Sequence, residues 1–248
     1  MKYLGVLMAL ILTLASCKQK EKTTNDNTKI EKESNAETSE EWTILFDGSS
    51  FDGWRYFAAG EVVAPWKLED GAMVFYPPKE RNGERYDIVT DKSYTNFVLS
   101  LEWKISEGGN SGIFWGISED PKYGVPYATG PEIQVLDNER HSDAKNGPTR
   151  QAGALYDMVP PSSSTAVKAA GEWNTCILTV NHITNEGNVV LNGEEIAKFP
   201  VHGELWDEMV ASSKFNGWDG FGVYQTGKIG LQDHADIVSY RNIKIKEL

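Results

Sequence analysis

Cysteine, histidine and positive charge are scarce in this sequence. Its 248 residues include 2 cysteines, 4 histidines, and 24 lysines and arginines against 36 acidic residues, for a formal net charge of -12. Nucleic-acid binding needs a basic footprint, so we expect no nucleic-acid partner. The acidic balance also argues against electrostatic docking on anionic lipid. These absences exclude two common classes of charged partner.

The short motifs of common catalytic and cofactor sites are absent as well. The sequence contains no G-x-S-x-G, no Walker loop, no H-E-x-x-H and no paired C-x-x-C. We therefore expect no nucleotide cofactor. Any chemistry must rest on polar residues at the faces and ends of secondary-structure elements.

No apolar run is long enough to span a membrane as a permanent helix. Residues 3–15 form an apolar stretch that suits a signal-peptide core, and it ends in Leu14-Ala15-Ser16-Cys17, which resembles the lipobox of bacterial lipoproteins. Residues 1–17 are therefore predicted to be a lipoprotein signal peptide with lipidation at Cys17. This places the protein at the cell envelope, in contact with the membrane only through its lipid anchor. A signal peptide that happens to contain a cysteine is the alternative.

The segment 18–41 contains almost no apolar side chains and mixes charges of both signs. Such a segment cannot bury enough surface to offset the entropy of ordering, so it is predicted to be a flexible tether. Residues 42–248 have a length that suits one domain. Their one cysteine, Cys176, has no disulfide partner once Cys17 carries lipid, and it is predicted to be a core residue.

The hydrophobic pattern of residues 42–248 is that of β-strands almost throughout. Apolar and polar residues alternate in residues 97–105, and Ile113, Trp115 and Ile117 are predicted to share one face of a later strand. Asn192-Gly193 predicts a tight hairpin turn, and a slip of the apolar phase near Arg241-Asn242 predicts a β-bulge. One short helix is predicted over residues 204–215. The fold class is therefore all-β, a two-sheet antiparallel β-sandwich or jelly roll with one short helix.

The stretch GPEIQVLDNERHSD, residues 130–143, gathers acids, amides and a histidine. Glu132 and Gln134 lie two apart on a strand and so point the same way, with Asp137 and His141 following. Glu102 lies on an earlier strand and is predicted to converge with them over a groove that binds a sugar. A surface pair of Glu102 with Lys104 is the ordinary alternative.

A second polar cluster is LQDHAD, where Gln232 and His234 are predicted to share a face while Asp233 points the other way. A histidine that titrates near neutral pH can serve as a general base or a metal ligand. Hydrogen-bonded structural roles for His141 and His234 are the alternative. The remaining histidines, in turn-like stretches, are expected to be solvated loop residues: His182 and His202.

The stretch TRQAGALYDMVPP supplies a third group of candidates. Arg150 is a candidate to bind a hydroxyl or an anionic intermediate, and Tyr156 and Asp157 are candidates to exchange protons with a substrate. Plain hydrogen bonding at a loop–strand junction explains these residue types equally well. The high content of Trp and Tyr suits either a carbohydrate-facing surface or an aromatic-rich core.

Taken in order, several blocks of residues 42–248 resemble the 3-keto-disaccharide hydrolase family. They are ILFDGSSFDGW, NSGIF, GPEIQVLDNERHSDAK, AGALYDMVPP, GEWN, LNG and IGLQDHADIVSYRNIKIKEL. The family often has His-Trp before its Leu-Asn-Gly, where this chain has Val189-Val190, and Gly after its Gln-Asp-His, where this chain has Ala235. The resemblance implies a concanavalin-like, laminin-G-like jelly roll and a role in carbohydrate breakdown.

It also implies activity on glycosides already oxidised at the sugar 3-hydroxyl. A ketone at C3 acidifies the C2 hydrogen, so a base can remove it and expel the C1 substituent by β-elimination, and added water gives net hydrolysis. Such a site needs a base and a group that stabilises the enolate. The hypothesis assigns the site to Glu132, Gln134, His141, Gln232 and His234, with Arg150 or a divalent metal ion holding the enolate. A partner oxidoreductase must make the 3-keto sugar.

Two other interpretations remain. An ordinary two-carboxylate glycoside hydrolase of the same fold would need partner acids on the strand of Glu132, but Gln134 and Leu136 occupy those positions. A non-catalytic carbohydrate-binding module on a lipid tether is the second, because fold does not fix function.

Overall fold

The computed structural model describes residues 41–248, so the predicted signal peptide, most of the tether and Cys17 lie outside the described residues. Within that range the chain forms thirteen β-strands and one α-helix. None of the helical turns in residues 41–248 is long and apolar enough to cross a membrane. The strands are β1 (Thr43–Phe46), β2 (Trp54–Tyr56), β3 (Trp66–Glu69), β4 (Ala72–Phe75), β5 (Ile88–Thr90), β6 (Phe97–Ile105), β7 (Asn110–Ile117), β8 (Glu132–Leu136), β9 (Asn174–Asn181), β10 (Glu186–Leu191), β11 (Glu194–Phe199), β12 (Lys228–Leu231) and β13 (Val238–Glu247), and the helix is α1 (Glu204–Ala211).

The strands pair into two antiparallel sheets. The larger sheet has eight strands in the order β11-β10-β9-β6-β13-β4-β3, with β1 also paired to β13, and the smaller has five in the order β2-β5-β12-β7-β8. This confirms the predicted all-β, two-sheet antiparallel sandwich with one short helix.

The core lies between the two sheets. On β6 the residues Phe97, Leu99, Leu101, Trp103 and Ile105 are all buried, and the residues between them are partly exposed on the opposite face. Removing each large apolar side chain from water stabilises the fold by roughly 1.5–3 kcal/mol. The buried Tyr240 hydroxyl is hydrogen-bonded to Ser111 Oγ at 2.8 Å. Cys176 is buried in the same core, as predicted.

Strand β8 turns its two faces to different surroundings. Ile133 and Val135 join the core, whereas Glu132 and Gln134 lie on the outer face of the five-stranded sheet, away from the larger sheet. The later segment 153–156 runs beside β8, because the Tyr156 N–H donates to the Glu132 carbonyl at 2.9 Å. Loops following β8 and α1 therefore cover part of this outer face and make it concave.

Two local predictions are confirmed. Asn192 and Gly193 join β10 to β11 with φ of 52° and 89°, the left-handed pair of a tight hairpin turn. The register of β13 against β6 shifts between Arg241 and Lys244, and Asn242 there has a φ of 53°. This is the predicted bulge.

Ile117 was wrongly predicted to share a face with Ile113 and Trp115. Gly116, with a φ of 61°, adopts a conformation that L side chains rarely take and interrupts the alternation of β7. Ile117 therefore packs with Val89 and Phe114 in a small cluster separate from the main core.

Two further expectations are corrected. Helix α1 ends at Ala211, short of the predicted residue 215, because Ser213 Oγ donates to the Val210 carbonyl and accepts the Phe215 N–H. The rings of His182 and His202 stack with centroids 5.9 Å apart, and both ring nitrogens of His182 are buried without a hydrogen-bond partner in the described residues. The prediction that His182 and His202 are solvated loop residues is therefore wrong.

Candidate active site

A cavity of about 270 Å³ opens on the outer face of the five-stranded sheet. Its floor comes from β7, β8 and the end of β12, and its walls from the loops before β5, after β8 and after α1. The lining residues are Arg85, Asp87, Asn110, Tyr127, Glu132, Gln134, Tyr156, Lys214, Phe215, Gln232, Asp233 and His234. The cavity thus unites five of the residues that the sequence predicted, namely Glu132, Gln134, Tyr156, Gln232 and His234.

Glu132 is the most perturbed acid of this cavity. The residue is buried, and within residues 41–248 no group donates a hydrogen bond to its carboxyl oxygens. Burial raises the pKa of its carboxyl to about 8, opposed in part by the positive charge of Lys214. A carboxyl with this pKa exchanges its proton near neutral pH, as acid–base catalysis requires.

Three amide side chains surround this carboxyl with unused hydrogen-bonding capacity. The side-chain oxygens of Asn110, Gln134 and Gln232 are buried and have no partner among the described residues. Gln134 Nε2 donates to the Arg150 carbonyl at 3.4 Å, which leaves its oxygen directed into the cavity. Buried polar groups are nearly always paired, so three orphaned acceptors in one cavity indicate a place for a polar ligand.

A second carboxyl of the cavity also has a raised pKa. Burial raises the pKa of Asp87 to about 7, and its Oδ1 accepts the Asp233 N–H at 3.0 Å. The Asp233 carboxylate accepts the Tyr86 N–H at 3.0 Å and pairs with Arg81. Asp233 also borders the cavity, but its side chain is fully buried and directed to Tyr86 and Arg81, in keeping with the prediction that it points away from the side chains of Gln232 and His234.

Lys214 supplies a cation to the cavity. Its Nζ lies 4.1 Å from the centroid of the Tyr156 ring, and its ammonium has no ion pair or hydrogen bond within the described chain. Burial lowers the pKa of Lys214, while the charge of Glu132 opposes that shift. Its backbone N–H donates to Asp157 Oδ2 at 2.7 Å, which fixes the position of the residue after α1.

Arg150, in contrast, is fully engaged outside the cavity. Its guanidinium donates to Asp157 Oδ1 at 2.7 Å, to Asp143 Oδ1 at 3.1 Å and to the Tyr156 hydroxyl at 2.9 Å. The Tyr156 hydroxyl in turn donates to Asp143 Oδ2 at 2.8 Å. This network ties together distant parts of the segment that follows β8, so its geometry suits the simple hydrogen-bonding interpretation of Arg150.

Two predicted site residues lie elsewhere. Glu102 is on the eight-stranded sheet, where its carboxylate accepts hydrogen bonds from Arg241 at 2.7 Å and from Asn242 at 3.0 Å, so it does not converge with Glu132. The Asp137 carboxylate accepts the Gly108 N–H at 2.8 Å and the Glu139 N–H at 3.0 Å. It holds the turn after β8 and does not line the cavity.

His141, His234 and Asp236 form a cluster at the cavity mouth, with ligand atoms all within 4.8 Å of one another. Two imidazoles and a carboxylate suit a borderline divalent cation, and the orphaned amide oxygens nearby add oxygen donors. His141 Nδ1 accepts the Asp143 N–H at 3.0 Å, so its proton is on Nε2. His234 and Asp236 therefore fit a metal ion directly, whereas His141 fits once that hydrogen bond is released, because a ligating imidazole normally donates its other N–H.

Residues 41–246 match the family of the 3-keto-alpha-glucoside-1,2-lyase-like domain. The chain belongs to this family. A 3-keto-disaccharide hydrolase from Bacteroides thetaiotaomicron is 35% identical over 232 residues, which cover 84% of this chain and 78% of that protein.

Two crystal structures from Parabacteroides distasonis, both provisionally described as glycosyl hydrolases, share this fold. The first is 35% identical with a TM-score of 0.75, covering 84% of this chain and 94% of the other. The second is 25% identical with a TM-score of 0.62, covering 84% and 100%.

Several residues at the cavity and its mouth were not predicted from the sequence. Asp87, Asn110 and Lys214 come from the entry to β5, the start of β7 and the loop after α1, and none belongs to a motif. Asp236, in the cluster with His141 and His234, could have been predicted from the sequence, because it follows His234 by two residues in LQDHAD. Asp87 and Asn110 come together through the pairing of distant strands, and Lys214 through the contact of its backbone with Asp157.

Proposed function

We propose that this protein cleaves glycosides whose glycosyl ring is oxidised at C3, by removing the C2 proton and expelling the C1 substituent. Membership of the family and the 35% identity to a 3-keto-disaccharide hydrolase support this substrate class. The observation that carries the proposal is the Glu132 carboxyl, which is buried in a polar cavity and accepts no hydrogen bond from residues 41–248. It is the general base in this proposal.

The pKa of about 8 suits Glu132 to this task. At pH 7 roughly a tenth of the enzyme carries the carboxylate, and that carboxylate is a far stronger base than a solvated one. It takes the C2 hydrogen as a proton, and the electron pair of the C–H bond moves into the ketone to form the enolate. Because the leaving oxygen also needs a proton, which this scheme assigns to Asp87 with its pKa of about 7, we expect kcat/KM to pass through a maximum between about pH 7 and pH 8 and to fall on either side.

Lys214 stabilises the enolate oxygen in this scheme, in place of Arg150. Its ammonium is unpaired within residues 41–248 and lies in the same cavity as Glu132, whereas the Arg150 guanidinium is occupied by two carboxylates. A cation already held beside the substrate stabilises charge that develops during the reaction. The orphaned oxygens of Asn110, Gln134 and Gln232 accept hydrogen bonds from sugar hydroxyls.

Collapse of the enolate breaks the bond from C1 to the leaving oxygen and forms a C1–C2 double bond. The leaving oxygen needs a proton, which Asp87 can supply because its raised pKa keeps part of it protonated near pH 7. Release at this stage is a lyase reaction. Addition of water across the double bond, with OH at C1 and H at C2, gives net hydrolysis.

The cluster of His141, His234 and Asp236 is the proposed position for a divalent cation. When bound, such a cation would polarise a substrate oxygen as a Lewis acid. His234 and Asp236 would be its first ligands, with His141 joining after it exchanges its hydrogen bond to Asp143.

The proposal also places the reaction at the cell envelope, through the predicted lipid on Cys17. An oxidoreductase must oxidise the sugar at C3 beforehand, because the elimination requires a ketone there.

A two-carboxylate glycoside hydrolase is the second candidate. The sequence offered no partner acid for Glu132 on its strand, but Asp87 lines the same cavity with a raised pKa. A pair of carboxyls of this kind can cleave an unoxidised glycoside.

The deciding assay measures nitrophenol release from a nitrophenyl 3-keto-glucoside, with the parent glucoside as control, each with and without EDTA. Glu132→Gln is compared with Glu102→Gln, which removes a carboxylate from the other sheet. Cleavage of the keto substrate alone, lost in Glu132→Gln and kept in Glu102→Gln, supports the proposal. Cleavage of the parent glucoside supports the second candidate, and glycan binding without cleavage supports a binding module. Full activity of Glu132→Gln would refute the assignment of Glu132 as the general base.

A further inference from the structure

Arg85 differs from the other arginines of the chain. It lines the cavity that contains Glu132, it is exposed, and within residues 41–248 its guanidinium has no ion pair and no hydrogen bond. The remaining arginines all pair with a carboxylate in the same range, and they are Arg55, Arg81, Arg140, Arg150 and Arg241. Acidic residues outnumber basic ones by 36 to 24, so a shortage of carboxylates does not explain the exception.

The acids of the cavity do not serve as partners of Arg85. The Asp233 carboxylate pairs with Arg81, and Asp87 Oδ1 accepts the Asp233 N–H at 3.0 Å. Burial raises the pKa of Asp87 to about 7 and that of Glu132 to about 8, so much of each is uncharged at neutral pH. The guanidinium is therefore left for a ligand in the cavity.

The chain on either side of Arg85 holds it in a fixed place. Arg85 and Asp87 both line the cavity, whereas Tyr86 between them packs on the main core. The Tyr86 N–H donates to Asp233 Oδ2 at 3.0 Å, and the Tyr86 carbonyl accepts the Trp66 indole N–H at 2.7 Å. A donor on a backbone fixed in advance binds a ligand with less loss of conformational entropy.

Arg85 lies on the side of the cavity where the leaving group departs. In the proposed reaction Asp87 protonates the leaving oxygen, and Arg85 is two residues away on the same face of the chain. Burial is the main influence on the pKa of Asp87, and the positive charge of Arg85 partly opposes it, which shows that the two groups are close. Two residues of extended chain span roughly 6–7 Å, about the separation of opposite substituents on a six-membered ring.

The interior of the cavity does not suit an anion. The side-chain oxygens of Asn110, Gln134 and Gln232 are acceptors without partners among the described residues, and a carboxylate offers only further acceptors. Sugar hydroxyls, which donate, fit there. A negative charge on the substrate is therefore accommodated at Arg85 and not among the amides.

Tyr127 adds an apolar surface beside the guanidinium. Its ring centroid lies 5.5 Å from Arg85 Cζ, and the ring lines the cavity. It packs against the small cluster of Val89, Phe114 and Ile117, which supports it from below. A ring next to a guanidinium suits a ligand with a flat apolar body and one anionic substituent.

We infer that Arg85 determines the specificity of the leaving-group site by binding a carboxylate on the leaving group, and that this leaving group is an aromatic hydroxy acid whose ring lies against Tyr127. The guanidinium fork donates two parallel N–H groups to the two carboxylate oxygens. The inference rests on the proposed function for the order of the groups: the 3-keto ring lies over Glu132 and the leaving group extends toward Arg85.

The test compares the 3-keto-glucosides of 4-hydroxybenzoate and of 4-hydroxybenzamide, its uncharged analogue, in the wild type, Arg85→Gln and Arg241→Gln. The ratio of kcat/KM, benzoate over benzamide, should fall about tenfold in Arg85→Gln, because charge-assisted hydrogen bonds to the carboxylate are lost. Arg241→Gln is the matched control, since it removes the same charge from the larger sheet. An unchanged ratio in Arg85→Gln overturns the inference, as does an equal fall in Arg241→Gln.

Binding of the unoxidised glucosides separates this inference from the proposed function. Calorimetry should show that the wild type binds the glucoside of 4-hydroxybenzoate more tightly than that of 4-hydroxybenzamide, with the difference lost in Arg85→Gln. If this result appears without any cleavage of keto substrates, the role of Arg85 stands and the proposed reaction fails. If keto substrates are cleaved but the wild type binds the two glucosides equally, the reaction stands and the role of Arg85 is refuted.

Discussion

Gly112 offers a way to displace Glu132 without removing it. Gly112 lies on β7, next to β8, and a Cβ added there would lie 2.2 Å from Glu132 Oε1 and 2.7 Å from Cδ. Atoms in ordinary contact stay roughly 3.5–4.0 Å apart, so the carboxyl must move by about 1 Å or more in Gly112→Ala. The backbone at Gly112 is not left-handed, so alanine is tolerated there by the main chain.

We expect this displacement to reduce kcat by about 100-fold, because misplacing a catalytic group by about 1 Å has an effect of that order. Overpacking should lower the free energy of unfolding by about 1–3 kcal/mol, which leaves the variant folded at room temperature if the parent has ordinary stability. The assay is nitrophenol release from the 3-keto substrate, with unfolding in urea followed in parallel.

Gly60→Ala is the matched control, because a Cβ there meets open space. The double variant Gly112→Ala with Glu132→Gln should be no slower than Glu132→Gln alone, since both changes act on one group. Activity of Gly112→Ala within threefold of the wild type, with the fold intact, would refute the assignment of Glu132 as the base.

Three further outcomes are expected. Because the pKa of Glu132 is raised in the folded state, its contribution to stability is present below pH 4.5 and is lost as the pH rises to about 8. The unfolding free energy of Glu132→Gln, measured in urea at each pH, should therefore gain several kcal/mol relative to the wild type over that interval. Parallel curves of unfolding free energy against pH for the two proteins would contradict this. Lys214→Ala should lower kcat about 100-fold, and Lys214→Arg should restore part of that loss because it restores the positive charge. Equal loss in both variants would contradict the role of that charge in stabilising the enolate. Asn192→Ala should lower the free energy of unfolding by about 1–3 kcal/mol, because it places alanine at a φ of 52° and removes hydrogen bonds to the Ala166 carbonyl and to Asn174. An unchanged midpoint of unfolding in urea would contradict this.

The alternation of side chains predicted the strands and the face of β8 well, because successive side chains of a half-buried strand alternate between the buried and the exposed face. It correctly placed Glu132 and Gln134 together. It failed for Glu102, because a sandwich has two outer faces and the period does not say to which of them a polar residue belongs. The failure at Ile117 has a local cause, the left-handed Gly116 within β7.

The other half of the cavity depends on contacts between distant parts of the chain. Asp87 meets Glu132 only because β5 and β8 join the same sheet through β12 and β7. Lys214 reaches the cavity because Asp157 binds its backbone N–H after α1 ends. Periodicity carries no information on either contact. Arg150 was a reasonable candidate by residue type, but three hydrogen-bond partners occupy it.

Strand β13 is the last strand in the chain and lies in the middle of the larger sheet. It pairs with β6 on one side and with β4 and β1 on the other, so β3 and β4 have no ladder to β6 without it. While the chain is being synthesised, the sheet stays in three unconnected parts, β1, β3 with β4, and β6 with β9 to β11, until β13 leaves the ribosome. Such a late, non-local closure leaves the larger sheet incomplete until synthesis of residues 238–247, and its unpaired strand edges are open to aggregation until then. Loss of the last ten strand residues would divide the sheet rather than fray its edge.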